Sequence, residues 1–138
     1  MKNGEKYMLF ADREHEAFYE QYRSGKVCRD ALFYTLGICH ETREHIRSIC
    51  DFESSCIMPE ALTAAWQTDT SGKVTRLAFN LFTWMQPGTL LFNAGSEAQL
   101  DECRRYSVSD IFCCGYAPYF FEAIKIRYPE YTRRLTGA

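Results

Sequence analysis

The residues of this 138-residue chain best suited to binding chemistry are concentrated in one block, from Trp66 to Asn80. Polar side chains there precede a predicted helix N-terminus, where free backbone N–H groups and a partial positive charge attract anions. The candidate binding residues in the block are Trp66, Gln67, Thr70, Ser71, Lys73, Arg76 and Asn80. The spacing of the last three puts them on one polar stripe, which predicts a docking surface for a partner protein or a small anion.

A purely structural interpretation of the same block stays open. Thr70 and Ser71 would then only cap the helix, which is worth about 1 kcal/mol. Lys73, Arg76 and Asn80 would form an ordinary solvated face. The segment is not a Walker P-loop, because it has a single glycine and its serine precedes the lysine.

Two histidines are the candidates for acid–base catalysis. His15 lies on the apolar face of the first predicted helix, and His45 borders the apolar face of the third. With a carboxylate such as Glu44 or Asp51 nearby, and with Lys73 or Arg76 holding an anion, either could serve as a general base. The alternative is a half-buried core histidine, and no nucleophile or zincin motif accompanies either residue. The sequence therefore favours a binding protein over an enzyme.

No cofactor and no metal site are expected. The chain has seven cysteines, an odd number that excludes a fully paired disulfide framework, and it contains no C-x-x-C spacing. We expect the cysteines to be reduced and to pack as small apolar residues.

The charge balance argues against nucleic acid as the main partner. The formal net charge is −2, so the whole domain has no basic footprint. Aromatic residues between positions 112 and 128 occur together with Lys125, Arg127, Arg133 and Arg134, which leaves single-stranded nucleic-acid binding as a third alternative.

The N-terminal apolar run, Tyr7–Phe10, is too short for a signal peptide, whose apolar core has about 7–15 residues. No stretch approaches the roughly 20 apolar residues of a membrane helix. We therefore expect a cytoplasmic protein without a membrane partner, and the sequence does not indicate its oligomeric state.

The elements that must position these residues are predicted to be helices, because the apolar residues recur at helical spacing. We predict a mainly α, compact fold of about six helices in a single domain, residues 1–138. Residues 7–10 and 89–92 are predicted to add a minor two-stranded ribbon, and residues 1–6 and 130–138 to be flexible. The predicted helical segments are residues 13–23, 31–36, 42–52, 60–66, 72–85, 96–105, 107–114 and 119–127.

Two stretches of the sequence, Phe52–Leu62 and Trp66–Leu81, resemble a family of short Firmicutes proteins that forms a domain of unknown function and often occurs on mobile elements. The helix around His15 and the Leu- and Tyr-rich segment around Phe33 are similar as well. The resemblance covers about residues 7–85. It implies a bacterial, cytosolic setting and supplies no activity, cofactor or catalytic residue.

The leading interpretation is therefore a small cytosolic interaction or regulatory protein that docks a partner through Trp66–Asn80. The alternative is a small enzyme or a protein that binds an anionic ligand. Convergence of His15 or His45, Asp51 and Arg76 on one concavity would favour the enzyme. An Arg76 paired with a neighbouring carboxylate, beside an exposed apolar patch, would favour protein interaction.

Overall fold

The computed structural model describes residues 8–132, and this range is mainly helical. The helices are α1 (Arg13–Tyr22), α2 (Val27–Leu36), α3 (His40–Glu44), α4 (Ile46–Ile49), α5 (Asp69–Thr83), α6 (Glu97–Arg104), α7 (Val108–Phe112), α8 (Ala117–Arg127) and α9 (Pro129–Thr132). Two 3-10 helices cover Pro59–Thr63 and Pro87–Leu91. A two-stranded antiparallel ribbon pairs β1 (Cys50–Asp51) with β2 (Cys56–Ile57). The predicted mainly α fold with a minor ribbon is confirmed.

Helix α2 is the central element, as its apolar sequence on all sides predicts. Every residue from 31 to 39 is buried. One apolar cluster, which includes Tyr34 and Phe120, packs α2 against α1, α5 and α8. A second cluster, which includes Phe33 and Phe79, also contains residues of α1, α2 and α5. It packs these three helices against α4 and the first 3-10 helix. These two clusters make the described residues one compact domain.

Helix α5 carries the predicted apolar stripe but begins and ends earlier than predicted. The Oγ1 of Thr68 accepts the N–H of Ser71 at 3.0 Å, and the Oγ of Ser71 accepts the N–H of Thr68 at 2.8 Å. This reciprocal capping box satisfies two free donors, so the cap is Thr68 and not Ser71. The helix ends at Thr83 because Trp84 adopts a left-handed backbone conformation.

The predicted ribbon was placed in the wrong segments. Residues 87–91 form a 3-10 helix opened by Pro87, and residues 8–10 have no regular structure, while residue 7 lies outside the described range. The ribbon forms instead between residues 50 and 57, where Ser55 turns the chain with φ 59°. A hairpin closed over four residues costs less loop entropy than pairing two segments about 80 residues apart.

Three predicted helix boundaries were also wrong. The predicted helix 42–52 is divided at His45 into α3 and α4, and β1 follows directly. The predicted helix 60–66 is the 3-10 helix Pro59–Thr63. The predicted helix 31–36 begins earlier, at Val27, so Asp30 lies inside α2, where its carboxylate accepts the N–H groups of Ser24 and Gly25 in the preceding loop.

The C-terminal segment differs from prediction at its prolines. Pro118 lies in the first turn of α8, where a missing N–H costs nothing, so the helix begins at Ala117. Pro129 begins α9, which lies beyond the last predicted helical segment, 119–127. Of the ends predicted to be flexible, residues 1–6 and 133–138 lie outside the described range.

A buried ion pair fixes the segment that follows α5. The Nε and Nη2 of Arg76 donate to the two carboxylate oxygens of Glu102 at 2.7 and 3.0 Å. The side chains are only 12% and 6% exposed. Gly88 packs directly on this pair, and its N–H donates to the hydroxyl of Tyr106 at 2.9 Å. The ion pair therefore holds α5, α6 and the second 3-10 helix together.

Substitution of Gly88 tests this packing. A Cβ atom built at Gly88 would overlap a carboxylate oxygen of Glu102 and lie 2.6 Å from Leu62 and 2.8 Å from the Tyr106 hydroxyl. We predict that Gly88→Ala lowers the free energy of unfolding by about 1–3 kcal/mol, as overpacked sites do. Urea denaturation measures the change. The matched control is Gly115→Ala, whose new Cβ meets nothing within 4 Å. Equal stability of the two variants would contradict the packing described.

Candidate functional site

The first part of the predicted binding block forms an internal hydrogen-bond network. The Nε2 of Gln67 donates to the carbonyl of Ala61 and to the Oγ1 of Thr75, both at 3.1 Å. Its Oε1 accepts the hydroxyl of Ser71 at 2.5 Å. Gln67 and Ser71 thus connect the start of α5 to the first 3-10 helix, and their polar atoms already have partners within the protein.

The three residues of the predicted polar stripe do not converge on one ligand position. The Nζ of Lys73 donates to the carbonyl of Asp110 at 2.6 Å, and Arg76 is paired with Glu102. The Nδ2 of Asn80 donates to the carbonyl of Met85 at 2.9 Å, beyond the end of the helix. Each side chain therefore connects α5 to a different neighbouring segment.

The aromatic residue of the block also has an internal partner. Trp66 is half-buried and stacks on the imidazole of His45, with ring centroids 4.3 Å apart and planes 3° apart. The Nδ1 of His45 is 2.9 Å from the carbonyl of Glu41. Thr70 lines a concavity of about 340 Å³ that is also lined by Glu41. That carboxylate opposes the binding of an anion there.

His15 is fully buried, and both of its ring nitrogens are engaged. Its Nδ1 accepts the N–H of Ala11 at 3.0 Å, so its Nε2 carries the proton and donates to the carbonyl of Tyr34 at 2.7 Å. Burial lowers the pKa of His15 from 6.5 to about 4, which keeps the ring neutral at pH 7. The ring is packed among Phe10, Tyr34 and Tyr119.

Within residues 8–132, neither candidate histidine lines the concavity that contains Arg76. The concavity that Arg76 lines, about 290 Å³ in volume, also contains Asp101, Glu102 and Arg105 but no histidine. Among residues 8–132, no group of three His, Cys, Asp or Glu side chains is arranged to hold a metal ion. Nor does any helix in that range have the length and apolar character needed to cross a membrane.

Among the features that the sequence did not predict is an exposed tryptophan in a left-handed turn. Trp84 has φ 55° and ψ 23°, and it is 71% exposed. Side chains of α5 hold this turn: Asn80 binds the carbonyl of Met85, and the Oγ1 of Thr83 accepts the N–H of Met85 at 3.0 Å. The N–H of Trp84 donates to the carbonyl of Asn80 at 2.6 Å. The turn therefore displays the indole to solvent.

Trp84 forms part of a broad apolar groove of about 630 Å³. Met85 and Leu90 are also largely exposed there, and Ile57 of β2 lies in the groove as well. Within the described part of the chain, no charged side chain lines it. We call this surface the Trp84 groove, and its lining includes Cys56, Ile57, Asn80, Phe82, Trp84, Met85 and Leu90. Asn80 alone belongs both to it and to the predicted block.

Comparison with known proteins gives one match. Residues 5–137 match a family model described as "Family of unknown function (DUF6075)". No curated protein and no solved structure gives a significant match to the chain. The match covers nearly the whole sequence, including the block Trp66–Asn80 and the Trp84 groove.

The buried histidine gives a prediction about pH. Because the pKa of His15 is about 4 in the folded protein and 6.5 in the unfolded chain, the unfolded chain takes up the proton first as the pH falls. The stability contributed by neutral His15 is therefore complete above pH 6.5 and is lost as the pH falls towards 4. The loss amounts to about 3 kcal/mol, which urea denaturation across this range measures.

Two variants isolate the contribution of His15. His15→Gln has no titrating group at this position, so its stability should vary less between pH 6.5 and 5 than that of the wild type. His45→Gln keeps His15 and should retain the wild-type dependence. If the stability of His15→Gln depended on pH as the stability of the wild type does, the buried ring would not be the source of the pH dependence.

Proposed function

The chain belongs to the DUF6075 family of unknown function, and we propose that it is an interaction module that docks a partner protein through the Trp84 groove. The observation that carries this proposal is the exposed indole of Trp84 on a left-handed backbone. We propose a bacterial, cytoplasmic regulatory role as well, with a mobile element as the genetic setting, on the basis of the sequence resemblance of Trp66–Leu81.

The backbone at Trp84 is costly for folding, which supports a role in binding. A left-handed conformation costs an L-residue with a Cβ roughly 1–2 kcal/mol, and glycine is the usual residue at such a helix end. Strained residues of this kind persist where the surroundings enforce them, and they are frequent at ligand clamps. Hydrogen bonds from Asn80 and to Thr83 enforce this one.

The composition of the groove favours docking over catalysis. Its exposed apolar residues include Trp84, Met85 and Leu90, and tryptophan is enriched at the energetic centres of protein interfaces. Within residues 8–132 its lining includes no histidine, carboxylate, lysine or arginine to act as an acid, base or anion clamp. The volume of about 630 Å³ is in the range of sites that enclose a ligand or several side chains.

The pairing of Arg76 with Glu102 also favours docking of a partner protein over catalysis or anion binding. Arg76 donates both hydrogen bonds to the buried carboxylate, so the guanidinium is already neutralised within the protein. We therefore propose that the centre of the docking surface lies at the C-terminal end of α5, with Asn80 at its boundary. The remaining residues of the block then act by positioning α5.

The stability of Trp84 variants tests the observation that carries the proposal. We predict that Trp84→Gly unfolds at a urea concentration no lower than the wild type, with a gain of up to about 1 kcal/mol, since glycine relieves the left-handed strain. The exposed indole contributes little burial that could be lost. A loss greater than 1 kcal/mol would make Trp84 a structural residue and would overturn the proposal.

Comparative affinity capture from the native host tests the docking itself. We predict that the wild type enriches a protein that Leu90→Ser fails to enrich, with the interaction then measured between the two purified proteins. Val108→Ser is the matched control, because Val108 and Leu90 are both 73% exposed and Val108 does not line the groove. Equal enrichment by Leu90→Ser and the wild type would place the docking surface elsewhere. Binding lost on addition of phosphate would instead favour the small-anion alternative.

A further inference from the structure

We propose that the partner segment binds the Trp84 groove in an extended conformation, as a third strand along the free edge of β2. This binding mode depends on the docking function proposed above and specifies the class of its ligand: an uncharged, extended protein segment with large apolar side chains.

The hydrogen-bond pattern of the ribbon leaves one residue of β2 unpaired. Residues Cys50 and Asp51 pair with Ile57 and Cys56, and the N–H of Met58 donates to the carbonyl of Ile49 at 2.7 Å. Hydrogen-bonded and non-hydrogen-bonded pairs alternate along an antiparallel ladder. Since the pair Ile49–Met58 is hydrogen-bonded, the pair Cys50–Ile57 is not, and the N–H and C=O of Ile57 point away from β1.

Both backbone groups of Ile57 are unpaired in the described part of the chain. Within residues 8–132, no hydrogen bond reaches the N–H or the C=O of this residue. An unpaired strand edge of this kind is a template for another strand, and many peptide-binding domains use it in this way. Ile57 can therefore exchange two hydrogen bonds with one residue of an incoming segment.

The groove runs along this edge. Cys56 and Ile57 both line the Trp84 groove, although successive side chains of a strand point to opposite faces. Both residues can border one concavity when the concavity follows the edge of the strand between the two faces. Trp84 and Leu90 line the same groove, where they can contact the side chains of the added strand.

The character of the groove specifies the chemistry of the segment. Because the described lining carries no charge, a charged side chain of the partner would lose its hydration there without gaining an ion pair. Apolar side chains gain from burial against Trp84, Met85 and Leu90. A single outward-facing residue on β2 fixes the register, and the apolar contacts supply most of the affinity.

The experiment uses peptides of 12 residues selected from a phage-displayed random library on the full chain. The consensus peptide is then synthesised, and its affinity is measured by fluorescence polarisation. We expect the consensus to be uncharged and rich in β-branched and aromatic residues. We expect N-methylation of one peptide amide to weaken binding about tenfold, the equivalent of about 1.4 kcal/mol, and methylation of either neighbouring amide to change it less than twofold.

A pair of protein variants tests the other side of the contact. Ile57→Pro removes the outward N–H at an edge position where proline is tolerated, and it should also weaken binding about tenfold. The conservative Ile57→Val keeps the N–H and should bind several-fold more tightly than Ile57→Pro. If Ile57→Pro fails to fold, the N-methyl series on the wild-type protein decides alone.

The outcomes separate this inference from the proposed function. Suppose that selected peptides lose binding to Trp84→Gly and also lose affinity when the modified peptide positions recur every three to four residues. This result would mean that a helix occupies the groove. The docking function would then stand and strand addition would be overturned. Selected peptides that bind Trp84→Gly as tightly as the wild type, or a selection that yields no binder, would overturn both.

Discussion

The buried pair of Arg76 and Glu102 is the interaction on which the arrangement of the groove depends. Two charges removed from water stabilise a fold only if their hydrogen bonds are well made, and removing one partner of such a pair typically costs about 3–5 kcal/mol. Here the bidentate geometry connects α5 to α6, and Gly88 packs on the same carboxylate. The 3-10 helix that carries Leu90 is therefore held against the end of α5, where Trp84 lies.

Sequence patterns predicted the helices that are determined by the periodicity of their own apolar residues. The apolar stripes of α1 and α5 are present in the structure, and α6 and α7 lie within the predicted segments 96–105 and 107–114. The failures occur where a contact with a distant or non-helical segment decides the outcome. Asp30 binds a preceding loop, and His45 stacks on Trp66 at the position where the predicted third helix is divided.

The candidate site was predictable only in part, for the same reason. Spacing alone placed Lys73, Arg76 and Asn80 on one stripe, and it could not show that their partners lie on separate segments, as far as 37 positions along the chain in the case of Lys73. The exposed indole was missed because the stripe of α5 was extended through Met85 into the turn before Pro87. Asn80 and Thr83, which can bind the backbone of a following turn, were the available signal for an earlier helix end.

The two tryptophans of the chain occupy opposite environments, and this makes the protein its own optical reporter. Trp66 lies flat against an imidazole, whereas Trp84 lines the groove with its indole 71% exposed to water. Indole emission shifts to shorter wavelength when water is excluded from the ring. The emission of Trp84 in the unlabelled protein will therefore shift to shorter wavelength when a bound segment fills the groove and excludes water from the indole.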